Sequence, residues 1–89
     1  MLNWFVYFLK SSKKGWIYVG STNQVQRRFK EHCDGLVQST KFFRPLKLAA
    51  YVAVDSEEKA RKLEKYFKTG SGKAVLRKRI LTDEAPTGA

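Results

Sequence analysis

Two short apolar tracts on either side of a polar turn constrain this chain more than anything else in it. Phe5-Val6-Tyr7-Phe8-Leu9 and Trp16-Ile17-Tyr18-Val19 are built from β-branched and aromatic residues, and residues 11–14 between them read Ser-Ser-Lys-Lys. That pattern predicts an antiparallel hairpin. Pairing Lys10 with Gly15 at the turn would set Tyr7 directly opposite Tyr18, with Val6 opposite Val19 and Phe8 opposite Ile17 on the other face. Both faces are apolar: Trp4, Val6, Phe8, Ile17 and Val19 against Phe5, Leu9 and Trp16. Helices are therefore expected to cover both. The two tyrosines would pack their rings on a half-covered face while their hydroxyls reach a cleft.

The rest of the chain supplies those helices. Asn23 is a suitable N-cap for a helix over 24–34, with Gly35 following in the usual glycine position and Val25, Phe29 and Cys33 as the apolar stripe. Residues 36–45 hold no sustained period and read as a basic connection. From 46 to 54, Leu46, Leu48, Ala50, Val52 and Val54 alternate as one side of a third strand. Asp55 and Ser56 open a second helix that carries Glu57 and Glu58 in its first turn and runs to about residue 68. Gly70-Ser71-Gly72 should break it, and a last short helix spans 73–80. The expected fold is α+β: a small three-stranded antiparallel sheet flanked by helices, in the order strand, strand, helix, strand, helix, helix. One domain should occupy residues 1–81, with 82–89 a disordered polar tail.

Charge narrows the function. Eighteen Lys and Arg against eight Asp and Glu give a net +10 on 89 residues. Such an excess points to a polyanionic partner. The cations spread over several helices instead of one amphipathic face, which favours nucleic acid over a membrane surface. Arg27, Arg28 and Lys30 cluster on the first helix. Lys59, Arg61, Lys62, Lys65 and Lys68 line the second, and Lys73, Arg77, Lys78 and Arg79 crowd the last. Among these, Arg27, Lys30, Lys68, Lys73 and Arg77 are the candidate phosphate contacts. No apolar run is long enough to cross a bilayer, and the start of the chain does not read as a secretory signal. A single cysteine, Cys33, excludes an internal disulfide and a cysteine-rich zinc site, so a reducing cytoplasm is the expected compartment.

Three residues point beyond binding to chemistry. Glu64 falls on the same side of the second helix as Ala60, Leu63 and Phe67, where a carboxylate is costly unless it is paired or holds a metal. A hard cation such as Mg²⁺ needs only one or two carboxylates, with water and substrate phosphate completing its shell. Arg28 and His32 lie one turn apart and share a flank of the first helix. A guanidinium suits bidentate contact with a phosphoryl group, and the only histidine of the chain could act as acid, base or phosphate donor. Each alone has an ordinary structural reading: a surface cation, a helix-edge filler, a glutamate bridged to a lysine.

Taken in order, these residues resemble the GIY-YIG nuclease family. The likeness rests on the tripeptides Phe5-Val6-Tyr7 and Tyr18-Val19-Gly20, then Arg28 ten residues after Tyr18, His32 four beyond it, and Glu64. It runs from about residue 4 to residue 80 and is nearest to small stand-alone members related to the N-terminal nuclease domain of the excision-repair incision subunit. The stretch Lys-Thr-Gly-Ser-Gly-Lys over 68–73 resembles the same small subfamily. It is no Walker A loop, since the upstream glycine is missing and Ala74 stands where Ser or Thr is needed. Phe5 stands in place of the name-giving first glycine, and no Asn follows Asn23 to match the family's downstream Asn.

The resemblance implies a metal-dependent DNA phosphodiesterase. Glu64 would bind one Mg²⁺ or Mn²⁺ ion, and Tyr7 would help to activate the attacking water. Tyr18 and Arg28 would orient and neutralise the scissile phosphate, with His32 assisting proton transfer or phosphate contact. The implied partner is DNA, whether duplex, single-stranded or branched, with little sequence specificity and with DNA repair as the setting; a monomer is compatible with this. Two rivals follow from the residues. One is a binding or adaptor domain that keeps the nuclease fold without turnover, as the absent Asn suggests. The other is a basic RNA- or ribosome-associated protein, which leaves Glu64 and the tyrosines unexplained.

Overall fold

The computed structural model describes residues 1–13 and 15–80, so Lys14 in the expected turn and the expected tail at 82–89 lie outside the described residues. β1 (Trp4–Ser11), β2 (Ile17–Thr22) and β3 (Leu46–Val54) form one antiparallel sheet in the order β2-β1-β3. Helix α1 (Val25–Cys33) follows the hairpin. A 3-10 turn at Lys41–Phe43 leads into β3. Helices α2 (Glu57–Phe67) and α3 (Gly70–Val75) close the fold, and α3 runs on into a π-type turn at Leu76–Ile80. The α+β class, the three antiparallel strands and the element order are as the sequence implies.

Alternation along the central strand β1 builds two cores. Val6 and Phe8 point to one face, where they meet Val19, Ala60, Phe67 and Leu76. Tyr7 and Leu9 point to the other, where they meet Leu46 with Trp16, Tyr18, Val25, Phe29 and Phe43. So α2 and α3 cover the first face and α1 covers the second. Each fully buried side chain of this kind contributes roughly 1.5–3 kcal/mol through the water it sheds.

The hairpin register differs from expectation by two residues. Tyr7 pairs with Gly20, Phe8 with Val19, Leu9 with Tyr18 and Lys10 with Ile17. The cause lies at Ser11. Its hydroxyl donates to the Phe43 carbonyl at 2.7 Å, and its backbone N–H donates to the Trp16 carbonyl at 3.0 Å. Ser11 is therefore drawn into the strand, and the loop moves one position along the chain. A slip of two preserves the face, so Tyr7 and Tyr18 remain on the same side, now as diagonal neighbours with ring centroids 6.2 Å apart.

Strand β3 departs in a second way. Its bounds match the expectation, but its five apolar residues do not share one side. Phe8 pairs with Ala50 and Leu9 with Leu48, so the pairing skips Ala49 in a bulge. Leu46 and Leu48 consequently join the α1 face, while Ala50, Val52 and Val54 join the α2 face.

Three helix details also differ. Gln24, not Asn23, takes the N-cap position of α1 without a side-chain cap, and its N–H donates to Thr22 Oγ1 at 3.1 Å. Cys33 is exposed, and His32 is the inward residue beside Val25 and Phe29. Gly70-Ser71-Gly72 begins α3 instead of only breaking α2, because Thr69 accepts from the Gly72 N–H at 3.0 Å. A Cβ at Gly72 would collide with the Tyr66 carbonyl oxygen, so only glycine allows α3 to turn this tightly off α2. At the other end of α1, Gly35 has φ 78° and closes the helix as expected.

Candidate active site

Gly20 is the point around which the site assembles. It sits opposite Tyr7 in the ladder, and a Cβ there would lie 2.5 Å from Tyr7 Oη and 3.0 Å from Tyr18 Cε2. The missing side chain lets the Tyr7 ring lie across β2. Its hydroxyl then meets His32 Nε2 at 2.9 Å, while His32 Nδ1 stands 2.7 Å from Thr40 Oγ1. Thr40 Oγ1 in turn donates to the Val37 carbonyl at 3.5 Å. With the Thr40 hydroxyl turned to Val37, the network runs in one direction. Thr40 accepts from an Nδ1–H, so Nε2 of the neutral imidazole accepts from the Tyr7 hydroxyl. Tyr7 is therefore sealed in with His32 and does not open on a cleft as the sequence suggested; Tyr18 is half-buried with its ring 5.1 Å from that of His32.

Burial governs the protonation of both partners. Desolvation pushes the Tyr7 phenol up to about 12, with Tyr18 and Glu64 adding to the rise and the neighbouring Arg28 opposing it. Desolvation likewise brings His32 down to about 4, helped by the charge of Arg28 and resisted by Glu31. At neutral pH the pair is a phenol hydrogen-bonded to a neutral imidazole.

Arg28 reaches the Tyr7 oxygen from α1 and also donates from Nη1 to Glu31 Oε1 at 2.9 Å. Its side chain keeps 39% exposure, so the guanidinium is anchored yet open to solvent. Glu64 comes from the opposite face, over the β2 edge. Its Oε1 accepts from Ser21 Oγ at 2.6 Å and its Oε2 accepts from Lys68 Nζ at 2.7 Å. Burial alone would raise the Glu64 carboxyl, but the bonds from Lys68 and Ser21 and the charges of Lys68 and Arg61 outweigh it and hold the group below the usual carboxylate range. Its charge is felt at Tyr7, which ties the two halves of the site together.

The donors fit a hard divalent cation. Glu64 supplies one ionised carboxylate whose two oxygens accept from Ser21 and Lys68 and each keep a further lone pair for a hard cation, while Glu31 is engaged with Arg28. Among the described residues no group of three or more His, Cys, Asp or Glu stands ready to hold a metal. A single-carboxylate site suits an ion that keeps water and phosphate oxygens in its shell.

Tyr7, Tyr18, Arg28, His32 and Glu64 thus converge from four elements. Lys68 lies beside them through its bond to Glu64. The other proposed phosphate contacts lie elsewhere. Arg27 is exposed on α1, Lys30 pairs with Asp34 at 2.9 Å, and Lys73 and Arg77 flank a groove beside Trp16 and Ile17. Sequence reasoning missed Thr40, Ser21 and Glu31. Glu31 was findable at three residues from Arg28 on one helix, and Ser21 from strand alternation, which turns it toward α2. Thr40 lies in an aperiodic connection, and nothing local marks it.

Comparison with known proteins bears on the chain as a whole. Residues 3–79 match the model of the GIY-YIG catalytic domain. The chain is similar to the UPF0213 protein YazA of Bacillus subtilis (strain 168), with 36% identity over 67 residues, 74% of this chain and 67% of that protein. Its fold is similar to the solution NMR structure of the UPF0213 protein BH0048 from Bacillus halodurans. That likeness has a TM-score of 0.50 and 33% identity, and it covers 82% of this chain and 80% of the other. Among the described residues no helix is long and apolar enough to cross a membrane. The match leaves only the ends of the chain uncovered, and this chain belongs to the GIY-YIG family, whose catalytic domains are nuclease domains acting on nucleic acid and are generally dependent on a divalent metal ion.

Proposed function

We propose that this protein is a DNA endonuclease that hydrolyses phosphodiester bonds with little sequence specificity and depends on one Mg²⁺ or Mn²⁺ ion. The observation that carries this reading is the buried Tyr7–His32 bond of 2.9 Å set beside the half-exposed Arg28 guanidinium. A fixed phenol–imidazole pair next to an anchored, solvent-open cation is a proton path adjoining a phosphate contact.

The residues divide the work. Arg28 faces the non-bridging oxygens, where negative charge builds as the phosphorus is attacked, and Tyr18 fixes the phosphate against it. Tyr7 is a phenol at neutral pH, so it does not act as a standing base. The attacking water reaches the Tyr7 oxygen only alongside Arg28, the solvent-open group bonded to it; there the oxygen takes the water's proton as the phenol's own proton passes to His32 Nε2, which leaves Tyr7 neutral and His32 an imidazolium. Thr40 holds the imidazole in the tautomer that can receive that proton. A divalent ion held at Glu64 would supply Lewis-acid stabilisation of phosphate charge. Exposed cations such as Arg27, Lys73 and Arg77 would hold the flanking backbone without reading bases.

A cleavage screen over single-stranded, duplex and branched DNA and over RNA, with Mg²⁺, Mn²⁺ or EDTA, tests the reading. Divalent-dependent cuts that vanish in Glu64→Gln support it. Tight, salt-sensitive DNA binding with no cleavage in any arm would favour a non-catalytic binding or adaptor domain, the reading to which the absence of any Asn after Asn23 lends weight.

A further inference from the structure

The face of the sheet that carries Tyr7 also carries an open pocket of about 540 Å³ around the start of α1. Its aromatic wall is Phe5 and Tyr51, in edge-to-face contact with ring centroids 5.7 Å apart, and Tyr51 remains 55% exposed. Asn23, Gln24, Gln26 and Arg27 form its rim. None of these four side chains makes a hydrogen bond among the described residues, so three amides and a guanidinium are free to turn inward.

Its position relates it to the catalytic residues. Tyr51 is the ladder partner of Tyr7, so the two sit side by side on neighbouring strands, about 5 Å apart at the backbone. Phe5 precedes Tyr7 by two on the same strand face, and the rim begins directly after Thr22, the partner of Phe5. Arg27 of the rim adjoins Arg28 in sequence, so a nucleic-acid strand with a phosphate at Arg28 runs toward this pocket.

We propose that the pocket binds an unpaired nucleobase of the DNA strand whose phosphate lies at Arg28; the proposal rests on the nuclease reading and deepens it. An exposed aromatic face stacks any base, and amides offer both donors and acceptors to a base edge. Stacking and pairing in a duplex hide both faces and the Watson–Crick edge of a base, so the pocket selects a single-stranded or frayed position. The charge of the chain favours this occupant over a second copy of the protein, since two chains of net +10 repel and Arg27 is the charged residue of the lining.

The test uses the full chain, isotope-labelled, in EDTA so that nothing is cut. Two probes of equal charge are titrated by amide NMR: a thymidine pentanucleotide, and the same deoxyribose-phosphate chain without bases. Both should shift signals near Arg28, whereas only the thymidine oligomer should shift those of Phe5, Gln24 and Tyr51. The bases should tighten binding by roughly 5- to 100-fold. Tyr51→Ala should erase that advantage without changing affinity for the baseless chain. Tyr51→Leu, which keeps bulk and strand propensity, should do the same and serves if the alanine variant folds poorly. Equal binding of the two probes, with shifts confined to the Arg28 region, would overturn the pocket and leave the nuclease reading intact. No binding of either probe would overturn both. Pocket signals that move with protein concentration alone would assign the surface to self-association and overturn the proposal.

Discussion

Tyr7 Oη and His32 Nε2 lie 2.9 Å apart, 25 positions apart in sequence, with both side chains all but sealed from solvent. The bond makes each residue a structural dependant of the other as well as a partner in chemistry. Tyr7→Phe keeps the ring but leaves a buried imidazole nitrogen unpaired, so it should destabilise the fold by about 1–3 kcal/mol. Loss of the proton path should lower turnover by roughly 10²- to 10⁴-fold, with DNA affinity nearly unchanged. Thermal melts and single-turnover cleavage measure the two effects separately. Unaltered turnover would return Tyr7 to packing alone.

Gly20→Ala tests the same geometry from the opposite strand. The new methyl would fall 2.5 Å from Tyr7 Oη, so the ring must move and the bond to His32 must lengthen. A cost of about 1–3 kcal/mol is expected from overpacking, with a fall in turnover resembling that of Tyr7→Phe. Combining both changes should cost less than the sum of the two, since each breaks the same contact. Additive losses would show that Gly20 matters for another reason.

The two buried groups set opposite ends of the pH profile. His32 falls to about 4 in the folded chain, against about 6.5 when unfolded. Between those values the unfolded chain binds a proton that the folded chain refuses. Stability is therefore full above about pH 6.5 and declines as the pH falls toward 4, by about 1–3 kcal/mol. Tyr7 is raised to about 12 from 10.0, so its contribution is full below pH 10 and is lost as the pH rises toward 12. Urea unfolding across pH should show both limbs, and Tyr7→Phe should flatten the alkaline one.

Glu64→Gln should abolish divalent-dependent cleavage while leaving the fold intact, because an amide oxygen can still accept from Ser21. DNA binding should survive and should still fall steeply between about 50 and 200 mM salt, as counterion release requires. Normal cleavage by this variant would make Glu64 a structural partner of Lys68. The expectation is read from Mg²⁺ titrations of cleavage and of binding in parallel.

How far the sequence alone leads is visible at single positions. The bounds of β3 and the glycine closing α1 were legible because they rest on local preference. The side on which Tyr7 and Tyr18 lie was legible too, because alternation survives a slip of two. The register itself was not, since it depends on Ser11 bonding to Phe43 far along the chain. Nor was the skip at Ala49, which only a neighbouring strand defines. His32 rather than Cys33 faces inward because Tyr7 and Thr40 satisfy both of its nitrogens, and that compensation is invisible to hydropathy.

Strand β1 lies in the middle of the sheet, hydrogen-bonded on both sides. To free Tyr7 from its neighbours, two ladders must come apart, an opening close to global unfolding. Its backbone amide should therefore be among the slowest to exchange with solvent. Arg28 and Glu64 lie on helical surfaces whose side chains can move without disturbing either ladder. The proton-handling centre is as persistent as the folded state itself, while the groups that meet the substrate are free to adjust from one turnover to the next.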